Sequence, residues 1–244
     1  VQKVKQAKKD KKTTSFAYLG NVVDVWEHFD KENLYIELGS DQTSLHNPWA
    51  GGYYPVGLSF EESNQMMSSN PEKFKEKVQE SLRQQTEAIN RHTQKGTYFF
   101  DYGNAFLLEA SRAGAKVFKD ETGQFVSGKN NDLDFAYSSY VQDIMGPMCF
   151  DFGFGPFRWV CASGKEEDLD KTDKIATEVL QRLKKDAPEE IQEQMQDNIK
   201  WIQGARENKL VVGSQARILY ADALGRIEIA KAFNTAIQKG KLEP

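Results

Sequence analysis

Between Asp41 and Asn47 the chain sets Gln42, Thr43, Ser44 and His46 side by side, and Trp49, Tyr53 and Tyr54 follow in the same irregular stretch, DQTSLHNPWAGGYYPVG. Flat amphipathic rings beside hydrogen-bonding side chains suit a ring-bearing ligand. His46 could bind such a ligand or exchange a proton with it near neutral pH; a structural role is the competing reading. No second histidine lies near it in sequence, which argues against a metal site and against a Ser-His-Asp arrangement.

Arg158 stands in the string GFGPFRWVCASG, next to Phe157 and Trp159. A guanidinium in apolar surroundings is costly unless an anion meets it, so a protein carboxylate or a substrate carboxylate is expected opposite. Spacing alone favours the protein carboxylate. The dinucleotide fingerprint GxGxxG and the phosphate loop GxxxxGK[ST] are both absent.

These residues need elements to position them. Ser15 to Leu19 reads as a strand, Gly20-Asn21 as a tight turn, and Val22, Val25, Trp26 and Phe29 as one face of a helix. Leu34 to Leu38 reads as a second strand. A long helix opens at Asn70-Pro71 with Phe74, Val78, Leu82 and Ile89 inward, and Thr97 to Phe100 is a third strand ending in Asp101-Tyr102-Gly103-Asn104. The next helix carries Phe106, Leu107, Ala110 and Ala113 and stops at Gly114. Strand-helix alternation predicts parallel strands with helices on their faces, and ligands at the carboxyl ends of the strands. Gly20-Asn21, Asp41 to Tyr54 and Asp101 to Asn104 are then expected at one sheet edge.

Val117 to Asp134 reads as a polar surface excursion or a domain junction, and Gly153 to Trp159 as a glycine-aromatic turn. Asp168 to about Asn208 is an amphipathic helical stretch broken near Pro188. Ala216 to Tyr220 reads as a strand before a helix striped by Ile229, Phe233 and Ile237. The fold class is therefore α/β, with parallel strands and flanking helices.

A length of 244 residues allows a substantial core, and a net charge of −4 gives no general pull toward nucleic acid or anionic membrane. The basic start, Lys3 to Lys12, reads as a solvated, partly helical end. His28 and His92 are expected on solvated helix faces, and Cys149 and Cys161 as reduced, buried and weakly polar, with no disulfide or metal. No apolar run reaches the length of a membrane span, and cytoplasmic residence is expected. Val1 in place of an initiator methionine, and the abrupt end at Pro244, suggest a segment excised from something longer.

The strings YLGNVVDVWE, DQTSLHNPWAGGYYPVG, FDYGN, GFGPFRWVCASG and VVGSQARILYADALGR occur in order from about residue 14 onward, and together they resemble the urocanase family. The resemblance implies a cytoplasmic, homodimeric lyase of histidine degradation. It would add water to urocanate to give imidazolonepropionate, with NAD as an electrophile and not as a hydride carrier. Position by position, it implies cofactor contacts from Asn21, Val22, Gln42, Thr43, Ser44, Leu45, His46, Tyr53, Tyr54 and Tyr102. It makes Arg158 the ligand of the substrate carboxylate, reversing the preference drawn from spacing.

Where many bacterial members carry an active-site cysteine this chain has Leu219, the form resembling the animal-type branch. The resemblance also implies a partial Rossmann-like parallel sheet with flanking helices over 1–140 and part of a second mixed α/β core domain over 141–244, with the family's glycine-rich phosphate loop upstream of Thr14 and further core segments downstream of Pro244. The chain by itself is then expected to bind NAD weakly and to be inactive. A non-catalytic nucleotide-binding or scaffold fragment is the alternative.

Overall fold

The computed structural model describes residues 1–128, 134–208 and 215–243. They form two compact units, Val1–Ile144 and Met145–Pro244.

The first unit opens with helix α1 (Gln2–Lys9), tied down by Lys5 to Glu32 and Lys8 to Glu37, each at 2.8 Å. Such exposed pairs contribute little individually. Residues 15–19 do not form the expected strand: no described strand lies alongside to take up the backbone bonds, and Phe16 and Tyr18 stay exposed. Helix α2 (Val22–Lys31) is capped by the Asn21 side chain, which accepts from Val23 N. It buries Val23 and Trp26.

Strand β1 is Leu38–Asp41, later than the apolar run beginning at Leu34 suggests. Leu34 is buried by packing, while pairing with the neighbouring strand starts only where Tyr98 N reaches Glu37 O. After β1 come α3 (Phe60–Ser69), with a Ser59/Glu62 capping box, and α4 (Pro71–Gln94), whose Phe74, Val78, Leu82 and Ile89 are buried as their spacing predicts. Strand β2 (Tyr98–Asp101) runs parallel to β1, with Leu38 opposite Tyr98 and Asp41 opposite Asp101. Helix α5 (Phe106–Arg112) follows, and Gly114 closes its end at φ +78°.

A short antiparallel hairpin, β3 (Phe118–Lys119) and β4 (Phe125–Val126), replaces the expected surface excursion. Val117 and Phe118 are fully buried, so this segment begins in the core; residues 129–133 lie outside the described residues. Strand β5 (Ser138–Ser139) pairs parallel to β2 and completes a sheet ordered β1-β2-β5. Its inner face carries Phe99 against Trp26 and Phe106. Gly39 lets the sheet approach α2, because a Cβ there would stand 2.5 Å from the Trp26 ring. His92 is buried, contrary to its expected solvated place. Its Nε2 lies 3.0 Å from Trp26 O, which gives the ring a partner inside the core. His28 is exposed.

The second unit starts with a single turn, α6 (Gly146–Met148). Only Gly153 (φ +78°) makes the expected turn; Gly155–Val160 is a full strand, β6. It pairs antiparallel with β7 (Ala216–Ala221), Gly155 opposite Ala221 and Val160 opposite Ala216. Helices α7 (Glu166–Lys184), α8 (Glu189–Gly204) and α9 (Ala223–Gln238) pack against this ribbon around Trp159, Leu180, Ile199, Leu219, Ile229 and Phe233. Pro188 separates α7 from α8. Residues 211–214 of the string VVGSQARILYADALGR lie outside the described residues.

Candidate functional site

Parallel neighbours end together, so β1 and β2 place Asp41 and Asp101 side by side at one sheet edge. The loops that follow are laced to each other: Asn104 Nδ2 donates to Gln42 O at 2.7 Å, and Leu45 N donates to Asn104 O at 3.1 Å. Asn21 joins them although no strand precedes it. Its Nδ2 donates to Tyr54 O at 2.8 Å, while its Oδ1 caps α2.

The buried centre of this edge is polar. Asp41, 2 % exposed, accepts from Thr43 N (2.9 Å), Thr43 Oγ1 (2.9 Å) and Gln85 Nε2 (2.7 Å). Gln85 Oε1 in turn accepts from the Tyr53 hydroxyl at 2.9 Å. Burial raises the Asp41 carboxyl above its ordinary range against the opposing pull of these donors. Burial likewise holds the Tyr53 phenol protonated. The backbone must pass very close to itself here: a Cβ on Gly52 would stand 2.2 Å from Ser44 O and 2.5 Å from Asn47 O.

Beside this network lies a cleft of about 710 Å³, within the ordinary range for small-molecule sites. Asn21, Val22, Thr43, Tyr53 and Tyr54 of the expected cofactor residues line it, together with Leu58 and Phe60. Phe60 stacks on Tyr54 at 5.2 Å, making an aromatic wall. Gln42, Ser44, Leu45, His46 and Tyr102 are not among its lining residues. Leu45 and Tyr53, each 1 % exposed, have almost no side-chain surface for a ligand, because both fill the core beneath the loop. Tyr102 lies flat on Tyr140 at 4.6 Å. His46 is exposed and makes no hydrogen bond among the described residues.

Gln85 is the residue that sequence reasoning leaves out of the site, whereas it places Asp41 and Asn104 at the edge but gives them no role of their own. Asp41 could have been singled out as the last residue before a strand-end loop, and Asn104 by its place in FDYGN; Gln85, mid-helix, carries no such signal.

Asp101 supplies a pH test. Burial, and behind it the neighbouring Asp41 charge, raises its carboxyl above the ordinary range. A carboxyl raised on folding contributes stability that is complete below its unfolded pKa and is lost as pH rises through the folded value. Asp101→Asn removes that dependence while keeping an oxygen for Gly103 N, which lies 3.3 Å from Oδ1. Relative to the variant, the wild type should lose melting temperature as pH rises above about 4, the ordinary value for an aspartate. A constant difference through that rise would show Asp101 to be unshifted.

In the second unit Arg158 is exposed and makes no ion pair among the described residues. The expectation of an apolar setting that forces an anionic partner fails because Arg158 points away from the core. Strand parity gives that role to Arg217, 4 % exposed, which grips Asp173 through Nε (3.0 Å) and Nη2 (2.7 Å). Leu219 is 2 % exposed and part of the same core. Cys149 and Cys161 are free and half-buried instead of fully buried, and burial raises the Cys161 thiol, which disfavours a thiolate. The described residues contain no group of three or more His, Cys, Asp or Glu placed to hold a metal ion, and no helix long and apolar enough to cross a membrane.

The model of the Urocanase Rossmann-like domain matches residues 1–144, and that of the Urocanase C-terminal domain matches residues 147–244. The chain belongs to the urocanase family. The urocanase match starts at residue 1, earlier than the motifs near residue 14 indicate. A probable urocanate hydratase of Caenorhabditis elegans is 54 % identical over 98 % of this chain and 35 % of its own length. One of Dictyostelium discoideum is 55 % identical over 96 % of this chain and 34 % of its own length. The urocanate hydratase of Mus musculus is 52 % identical over 100 % of this chain and 36 % of its own. The chain thus spans about a third of the length of these urocanase relatives. Its Rossmann-like part is the unit with the parallel sheet.

Proposed function

We propose that this chain is the part of a urocanate hydratase that supplies the strand-end half of an NAD site and a substrate-carboxylate ligand. The single observation that carries the reading is identity above 50 % to urocanate hydratases across nearly the whole chain. The reaction is hydration of urocanate to imidazolonepropionate in histidine degradation, in a cytoplasmic homodimer. The proposed domain division is 1–140 as the later part of the nucleotide domain and 141–244 as part of the core domain.

The residues present fit a nucleotide. The cleft at Asn21, Thr43 and Tyr54 is partly apolar, has aromatic rings in its wall, and sits at strand ends. Asn21, Val22, Thr43 and Tyr54 would hold the cofactor directly, with Gln42, Ser44, His46 and Tyr102 on the adjoining loops. Leu45 and Tyr53 would act from beneath, by shaping the loop. When bound, NAD supplies the electron-withdrawing centre that the chemistry needs. The protein's own part is to bind, orient and exclude water. Arg158, exposed and unpaired among the described residues, is free to take a carboxylate in bidentate fashion. Leu219, facing the core, offers no reacting group.

The test uses an intact urocanase carrying this chain. Purified without added cofactor, it should contain NAD and consume the ultraviolet absorbance of urocanate. Arg158→Lys should lower kcat/KM for urocanate about 10- to 100-fold, the worth of a charge-assisted pair, with NAD content unchanged. Loss of NAD and of folding together would instead make Arg158 a structural residue.

A further inference from the structure

Hydrogen bonds around the loop after β1 all point one way. A carboxylate accepts and cannot donate, so Asp41 dictates the orientation of its partners. Gln85 must turn its amide nitrogen toward Asp41, at 2.7 Å, and its oxygen toward the Tyr53 hydroxyl, at 2.9 Å. Thr43 is constrained in the same way. Its hydroxyl proton goes to Asp41 Oδ2 at 2.9 Å, so Thr43 Oγ1, on a residue that lines the cleft, has only lone pairs left to offer. Tyr54, also in the cleft wall, gives its hydroxyl proton to Asn64 Oδ1 at 2.9 Å and is likewise left as an acceptor. No lysine or arginine lines this cleft among the described residues.

We propose that Asp41 is a positioning residue that, by taking the Thr43 proton, makes the cleft wall accept hydrogen bonds and so select a ligand O–H or N–H over an acceptor such as a phosphate oxygen. The inference rests on reading the cleft as a nucleotide site. It assigns the cleft to a phosphate-free, donor-bearing nucleoside portion of the ligand, offering either a ribose hydroxyl or a carboxamide N–H. It also explains why a buried carboxylate stands behind a small hydroxyl side chain: an asparagine in its place could donate to Thr43 and send the hydroxyl proton the other way.

Nucleotide-free intact protein carrying this chain should be titrated with three probes: NAD, NAD with its ribose hydroxyls replaced by fluorine, and NAD with a dimethylated carboxamide. Fluorine can accept but not donate. One of the two analogues should bind wild type about tenfold more weakly than NAD, the worth of one hydrogen bond, and which one identifies the donor. Thr43→Val should remove that discrimination, and Asp41→Asn should bring it within about twofold because Thr43 can then donate. If Asp41→Asn does not fold, the wild type and Thr43→Val decide. NAD binding with no loss for either analogue, or a discrimination that survives Thr43→Val, overturns the assignment of polarity while leaving the nucleotide site standing. Absence of NAD binding by wild type overturns both.

Discussion

Arg217→Ala should destabilise the second unit by about 3–5 kcal/mol, because it removes a buried guanidinium and leaves the part-buried Asp173 carboxylate without its partner. Arg217 is 4 % exposed and holds both Asp173 oxygens. Burial already raises the Asp173 carboxyl, and Arg217 is what draws it back down. Without the guanidinium, Asp173 must ionise in a poor environment or take up a proton. The double variant Arg217→Met with Asp173→Leu should lose far less than the single variant, since two well-packed apolar groups remove both charges at once. Urea denaturation midpoints for the wild type, the single and the double variant check this. Equal losses for the single and double variants would mean that packing, and not charge pairing, is what Arg217 contributes.

Gly52→Ala is the second large effect. The added methyl would stand 2.2 Å from Ser44 O and 2.5 Å from Asn47 O, and both obstacles are main chain, which cannot swing aside as a flexible side chain would. Overpacking of this kind costs about 1–3 kcal/mol. Gly52 N also donates to Asn47 O at 3.2 Å, so relief of the clash would open the loop itself. Nucleotide affinity should therefore fall along with stability. Gly57→Ala is the control: nothing lies within 4 Å of its Cβ position, and only its φ of +81° opposes the change. That substitution should cost roughly 1 kcal/mol and leave ligand affinity close to wild type. Thermal melts and nucleotide titrations on the two variants separate the cases, and similar losses in both would rule out the close approach as the reason for Gly52.

The parallel sheet and its strand-end loops were legible because their determinants are local. Asn70-Pro71 opens α4, its inner face is periodic, and Asp101 to Asn104 breaks the chain where β2 ends. What the sequence hid depends on partners distant along the chain. Leu34 and Leu38 look alike in sequence, yet pairing with β2 makes only the second a strand residue. Ser15 to Leu19 has strand composition and no strand beside it among the described residues. Arg158 lies outside the apolar setting expected of it because β6 reads as a turn in the sequence, and alternation has no meaning until a strand is recognised. Leu45 and Tyr53 sit in a loop by composition but in the core by packing, which only the approach of α4 decides. Gln85 matters solely through what faces it.

The proposed setting of this chain is a working urocanate hydratase whose nucleotide lies at the ends of β1 and β2. The most direct measurement is made on intact urocanase carrying these residues, purified without added cofactor. Its bound nucleotide is identified by mass spectrometry, and the same preparation is then given urocanate. The account predicts NAD in the protein and steady loss of urocanate absorbance without accumulation of reduced nicotinamide. A folded, NAD-containing protein that leaves urocanate untouched would contradict it.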